Sequence, residues 1–232
     1  MDLSAEMAEL WTSLGAAPGG RGRLVEFIAA REGEGVSTVA REFAFYAARV
    51  LSRRVWLVDL DLMGQTQAGV LTRESKRFGE VGPPASATPD ASMFFSVQPP
   101  LKRPDGRPWP DARYISAHAV GGPGLWVTRF RREAMRGRQG VHVLPVPDYW
   151  RALRRHCDLV VVDAPAAERS QSGLTVAPFM DDVVMVVAAD EHNPRAPADL
   201  RDDLADAGAH CAGLFVNRVR VEPPAFLRGA GS

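Results

Sequence analysis

Cysteine is almost missing: Cys157 and Cys211 are the two present in 232 residues, each in its own hydrophobic segment. This excludes a disulfide framework and a cysteine-rich metal site, and a reducing cytoplasm is the simpler setting. No apolar run reaches the roughly 18–20 residues that span a bilayer. The start Met1-Asp2-Leu3-Ser4-Ala5-Glu6 has neither the basic region nor the apolar stretch of a secretory signal. A soluble cytoplasmic chain is expected, brought to a membrane only by a partner protein. Net charge is missing too, since 28 basic residues balance 28 acidic ones. There is thus no global field to hold nucleic acid or an anionic surface. What is present is 46% apolar content, enough at this length for one domain over residues 1–232.

The neutral total hides an uneven distribution. Residues 1–100 carry 10 basic and 12 acidic groups, residues 101–156 carry 12 and 4, and residues 157–232 carry 6 and 12. Of the 28 basic residues 26 are arginine, a planar forked donor rather than a point charge. Half of the prolines, 9 of 18, fall between Pro83 and Pro123. That density predicts a long surface excursion or insertion over 79–124 with little regular structure. Trp109, Trp126 and Trp150 alternate with arginines, which permits stacking on bases, although packing against the body is the preferred account. His118, His142, His156, His192 and His210 form no close metal-ligand cluster.

Periodicity supplies the order of elements. Ser4 to Leu14 reads as a short amphipathic helix used for packing. Leu24 to Ala30 reads as a strand, Arg31 to Gly35 as a turn, and Ser37 to Leu51 as a helix with Val39, Phe43, Ala47 and Val50 inward. Val55 to Asp59, Leu159 to Asp163, Val183 to Ala188 and Cys211 to Asn217 read as further strands, with a helix over Pro197 to Ala207. Continuous aliphatic strands alternating with helices predict an α/β fold, a mostly parallel central sheet with helices on both faces.

Ligands of such sheets gather beyond the carboxyl ends of the strands, and three ends here are polar: the glycine turn after Ala30, Asp59 with Asp61, and Asp163. A lone aspartate at a strand end is ordinarily a turn former or a cap; the combination with a glycine turn points to a site. In Glu32-Gly33-Glu34-Gly35-Val36-Ser37-Thr38, small residues let backbone N–H groups turn around a phosphate. The following helix adds its positive end and a hydroxyl reaches magnesium. Gly33, Glu34, Gly35, Val36, Ser37 and Thr38 are the candidate nucleotide-binding residues. Val36 stands where a lysine would reach the terminal phosphates, and losing such a stabiliser costs about two or more decades in rate. Arg31 is a candidate substitute, from its own loop or across to another subunit.

Three segments together carry a resemblance: Glu32 to Ala40, Val58-Asp59-Leu60-Asp61-Leu62, and Val160-Val161-Val162-Asp163-Ala164-Pro165. They resemble the three Walker-type motifs of the bacterial tyrosine kinase domains that accompany capsule and exopolysaccharide chain-length regulators, within the MinD/ParA-like P-loop class. Val183 to Ala189 and Leu214 to Val219 resemble the family's closing unit. The matches cover residues 24–78 and 157–220, roughly half of the chain. The resemblance implies a P-loop NTPase-like fold, with Ser37, Asp59 and Asp163 around magnesium, Asp59 and Asp61 as residual catalytic candidates, and Asn217 on adenine. It implies ATP or ADP with magnesium as cofactor, with an empty site as the alternative. Three features depart from the family. Val36 replaces lysine, Met63-Gly64-Gln65-Thr66 replaces an arginine-rich stretch, and the C-terminal tyrosine cluster is missing, the tyrosines being Tyr46, Tyr114 and Tyr149.

Three readings follow. The leading one is a catalytically degenerate, pseudokinase-like regulator or scaffold that binds an inner-membrane polysaccharide polymerisation, chain-length or export protein, with self-association as a further expectation. The second is a weak Mg-dependent ATPase completed by Arg31 or a partner's cation. The third is a MinD/ParA-like positioning or nucleic-acid-associated protein using Arg129-Phe130-Arg131-Arg132 and Arg136-Gly137-Arg138. It ranks last because the chain shows no recognition module.

Overall fold

Leu159-Val160-Val161-Val162-Asp163 has no polar residue before its last position, so it is stable only where both faces are covered. All five residues are buried in the computed structural model, which describes residues 3–15, 21–190 and 193–218. In chain order the strands are β1 (Arg23–Ile28), β2 (Val55–Asp59), β3 (Phe95–Gln98), β4 (Ile115–Val120), β5 (Leu125–Phe130), β6 (Gly140–Val143), β7 (Leu159–Asp163), β8 (Asp182–Ala188) and β9 (Cys211–Asn217). The helices are α1 (Ser4–Leu14), α2 (Val36–Arg49), α3 (Thr66–Arg73), α4 (Ser75–Phe78), α5 (Asp148–His156), α6 (Ser172–Val176) and α7 (Arg195–Asp206). Seven strands form one sheet of order β4-β5-β2-β7-β1-β8-β9. Its pairings are parallel except for the antiparallel β4 and β5. The chain therefore has the expected mostly parallel, P-loop NTPase-like α/β architecture.

Two apolar layers sandwich the sheet. On one face α2 buries Val39, Phe43 and Ala47 against Phe27 and Val161. The Phe27 and Phe43 rings lie 5.3 Å apart and Trp11 of α1 sits 5.9 Å from Phe43, so α1 packs outside α2 as its periodicity predicts. The other face collects Leu24, Ile28, Val160, Val162, Trp150 and Leu153. Val50 does not join the inward stripe: α2 ends at Arg49 and Val50 is 60% exposed. Ser52 then adopts a left-handed φ of 51°, which turns the chain toward β2.

The proline-dense stretch 79–124 differs most from its sequence reading. It holds β3, β4 and isolated bridges from Val81 and Ala85 onto β4. Its prolines fall between the strands, and the apolar runs they bracket can pair and be buried: Phe94, Phe95 and Val97 are in the core. β3 pairs antiparallel with β6 in a separate two-stranded sheet. Trp126 and Trp150 serve packing: Trp56 stacks on Trp126 at 5.9 Å and Trp150 is buried, whereas Trp109 is exposed. The guanidinium groups of Arg103 and Arg113 lie 4.9 Å and 4.6 Å from the centre of the Trp109 ring. In the arginine-rich stretch Phe130 is buried and Arg129 pairs with Glu133 at 3.1 Å. His118 is a satisfied interior ring, with Nδ1 2.9 Å from the Gly82 carbonyl.

Candidate functional site

The parallel register brings the polar strand ends together. Asp59 at the end of β2 is the register partner of Asp163 at the end of β7, and Phe27 of β1 pairs with Asp163 from the other side. β1 lies between β7 and β8, so the loop leaving it opens over the crevice at the strands' carboxyl ends. Gly33 and Gly35 take left-handed φ values of 83° and 95°, which lets the backbone fold back before α2 begins at Val36. A Cβ on Gly35 would come within 2.1 Å of Asn217 Nδ2. A cleft of about 410 Å³ opens here. Gly33, Glu34, Gly35, Val36, Ser37, Thr38, Asp61 and Asp163 all line it.

Ser37 Oγ donates to Asp163 Oδ1 at 3.1 Å, and Gln67 Nε2 donates to Asp163 Oδ2 at 2.6 Å. Gln67 also donates to the Ser37 carbonyl at 2.8 Å and accepts from Arg41 Nη1 at 3.0 Å. Burial pushes the Asp163 carboxyl above the usual carboxylate range, against the hydrogen bonds from Gln67 and Ser37. Asp59 is raised as well, first by burial and then by the charge of Asp163. Asp59 does not line the cleft. Its two oxygens accept the backbone N–H groups of Asp61 at 2.9 Å and Gln67 at 3.0 Å, so it fixes the turn that presents Asp61.

Val36 is buried, only 8% exposed, among the apolar residues of the α2 face. No side-chain cation therefore rises from the position where the resemblance expects one. The loop's N–H groups meet carboxylates instead: Arg31 N–H donates to Glu34 Oε2 at 2.9 Å, and Glu32 N–H to Glu168 Oε1 of the turn after β7 at 2.6 Å. Asn217 Nδ2 donates to the Glu34 carbonyl at 2.8 Å, and the Arg218 guanidinium donates to the Gly33 carbonyl. Asn217 thus braces the loop from β9.

Residue patterns alone pass over Gln67, Arg41 and Arg169. Arg169 lines the cleft and pairs with Asp61 at 2.6 Å and Glu32 at 2.9 Å. Gln67 follows the second acidic motif and Arg169 the third, a proximity that could have flagged both. Among the described residues no group of three or more His, Cys, Asp or Glu side chains could hold a metal ion. Among the side chains that line the cleft, the adjoining Ser37 hydroxyl and Asp163 carboxylate are hard oxygen donors. They suit magnesium, which takes one or two carboxylates and completes its shell with water and phosphate.

No protein-family model matches the chain, and no curated protein matches it by sequence. Solved structures do. The VpsO kinase domain aligns at TM-score 0.56 and 19% identity over 94% of this chain and 96% of that one. The kinase domain of the Escherichia coli tyrosine kinase ETK aligns at 0.58 and 16% over 95% and 78%. MinD from Pyrococcus horikoshii, a septum site-determining protein solved with Mg-ADP, aligns at 0.57 and 16% over 88% and 74%. At these identities the likeness establishes a shared fold, that of bacterial tyrosine kinase and MinD-type P-loop domains. Among the described residues no helix is long and apolar enough to cross a membrane.

Proposed function

We propose that the chain is a nucleotide-binding P-loop protein with little or no phosphoryl-transfer activity. In this reading it acts as a regulator or scaffold of exopolysaccharide or capsule assembly. The observation that carries it is the contrast at the start of α2. Ser37, Asp163 and Gln67 are assembled by hydrogen bonds, while the adjoining Val36 turns an apolar side chain into the core. Such a site retains oxygen donors for magnesium and free N–H groups at a helix start for phosphate, but has lost its charge stabiliser for a transferring phosphoryl group. On the acceptor side, Tyr114 and Tyr149 are buried and Tyr46 is half-buried.

When bound, magnesium would neutralise β- and γ-phosphate charge. Ser37 and Asp163 would hold it, Gln67 would orient Asp163, and Asn217 would stand at the adenine side of the loop. The tyrosine kinase resemblance supports a cytoplasmic protein drawn to the inner membrane by a polysaccharide polymerisation, chain-length or export protein, with self-association. Calorimetry with Mg-ADP should show binding that Asp163→Ala weakens, and phosphate release should match that variant's background. Absence of binding, or turnover well above that background, would sink the reading. A second reading, a weak ATPase, is favoured by Arg31, which lines the same cleft.

A further inference from the structure

Arg169 spans the cleft. Its guanidinium bridges two carboxylates on opposite walls of the cleft, Glu32 on the loop after β1 at 2.9 Å and Asp61 after β2 at 2.6 Å. The arginine side chain is 42% exposed and Glu32 is 63% exposed, so that pair contributes little to folding, while Asp61 is 17% exposed. The Arg169 backbone, by contrast, is firmly placed. Ala167 N–H donates to the Ala29 carbonyl at 2.9 Å and Glu168 N–H to the Ala30 carbonyl at 3.2 Å, so the turn carrying Arg169 is laced to the exit of β1, directly beside the loop.

The cleft lining is net acidic. Arg31 and Arg169 are its basic lining residues, against Glu32, Glu34, Asp61 and Asp163. A di- or triphosphate entering such a cleft needs a cation at its terminal end, and Val36 supplies none. A guanidinium offers forked donors that match phosphate oxygens in pairs. Resting on this nucleotide-binding reading, we propose that Arg169 is the phosphate-binding cation of the cleft, held in reserve by Glu32 and Asp61 until a nucleoside di- or triphosphate draws it away. The lysine lost from the loop is thereby replaced from a different segment of the chain.

The two roles predict opposite signs. If Arg169 only ties Glu32 to Asp61, then removing either partner leaves nucleotide affinity unchanged or lowers it. If Arg169 is held in reserve, Arg169→Ala lowers affinity and Glu32→Gln raises it, because the latter frees the guanidinium. The experiment is calorimetric titration of Mg-ADP and Mg-ATP into the full chain, wild type and variants, with thermal melts as a folding control. The expected result is about a tenfold or greater weakening in Arg169→Ala, a smaller one in Arg169→Lys, and severalfold tightening in Glu32→Gln. The Glu32→Gln gain should shrink in the Arg169→Ala background. An equal gain there would mean that only the negative charge of Glu32 mattered, which overturns the reserve role. Wild-type binding that Arg169→Ala leaves intact overturns the Arg169 assignment and spares the nucleotide reading. No binding by wild type or by Val36→Lys overturns both.

Discussion

Gln67 Nε2 donates to Asp163 Oδ2 at 2.6 Å while the same amide's Oε1 accepts from Arg41 Nη1 at 3.0 Å. One side chain thus bridges a buried acid and a buried base. Gln67→Ala should cost about 1–3 kcal/mol, because it leaves both groups short of a partner. Urea unfolding measures this, and a midpoint unchanged from wild type would contradict the bridging role.

Asp59 and Asp163 bear on pH. Both folded-state pKa values are raised, chiefly by burial, so the folded chain binds more protons than the unfolded one above about pH 3.9. Their contribution to stability is fullest below that pH and is lost as pH rises through the raised values. Asp163→Asn should flatten the fall between pH 5 and pH 8, at the expense of Mg-nucleotide affinity. Parallel pH profiles for wild type and variant would count against it.

Glu26 on β1 is fully buried, neither carboxyl oxygen has a hydrogen-bond partner, and burial raises its pKa well above the ordinary value. The sign is the same as for the aspartates, with stability lost as pH rises above about 4.3. Glu26→Met removes the unpaired group and should stabilise by about 1–3 kcal/mol at pH 8, with a smaller gain at pH 5. Denaturant midpoints at the two pH values test it; a destabilised variant at pH 8 would show that the carboxyl is held by something its surroundings do not reveal.

Val36→Lys restores a cation to the loop. The lysine stem can lie along the apolar wall with its ammonium in the cleft, so Mg-ADP affinity should rise about tenfold, or about 1.4 kcal/mol. Unchanged binding would contradict the reading that a missing cation at this position limits affinity.

Gly35→Ala tests the loop backbone. With φ at 95° and Asn217 Nδ2 in the way of a Cβ, the substitution should cost about 1–3 kcal/mol and weaken Mg-ADP binding as the loop moves. A melting temperature equal to wild type would mean that Asn217 yields freely.

Much of the fold is legible in local pattern. The all-apolar run Leu159 to Val162 and the glycine turn before Ser37 place β7 and the loop without tertiary information, because burial and left-handed φ leave few alternatives. β4 and β5 are not legible in the same way. Ser116, His118 and Thr128 interrupt their apolar character, and nearby prolines suggest a loop, yet all three polar residues are buried. Their pairing is a long-range event that compensates locally unfavourable residues. The site divides similarly: Gly33, Gly35, Ser37, Asp61 and Asp163 follow from motif spacing, whereas Gln67 and Arg169 acquire meaning only from what they touch.

The sequence by itself determined the sheet's central strands, the glycine turn before α2, and the apolar Val36 that follows it, because each depends on neighbours within a few residues. Only the tertiary structure decided which charges meet. Parallel register set Asp59 beside Asp163, and the turn after β7 carried Arg169 across to Glu32 and Asp61. Interactions between side chains more than a hundred residues apart depend on chain topology, and a linear pattern contains no distance.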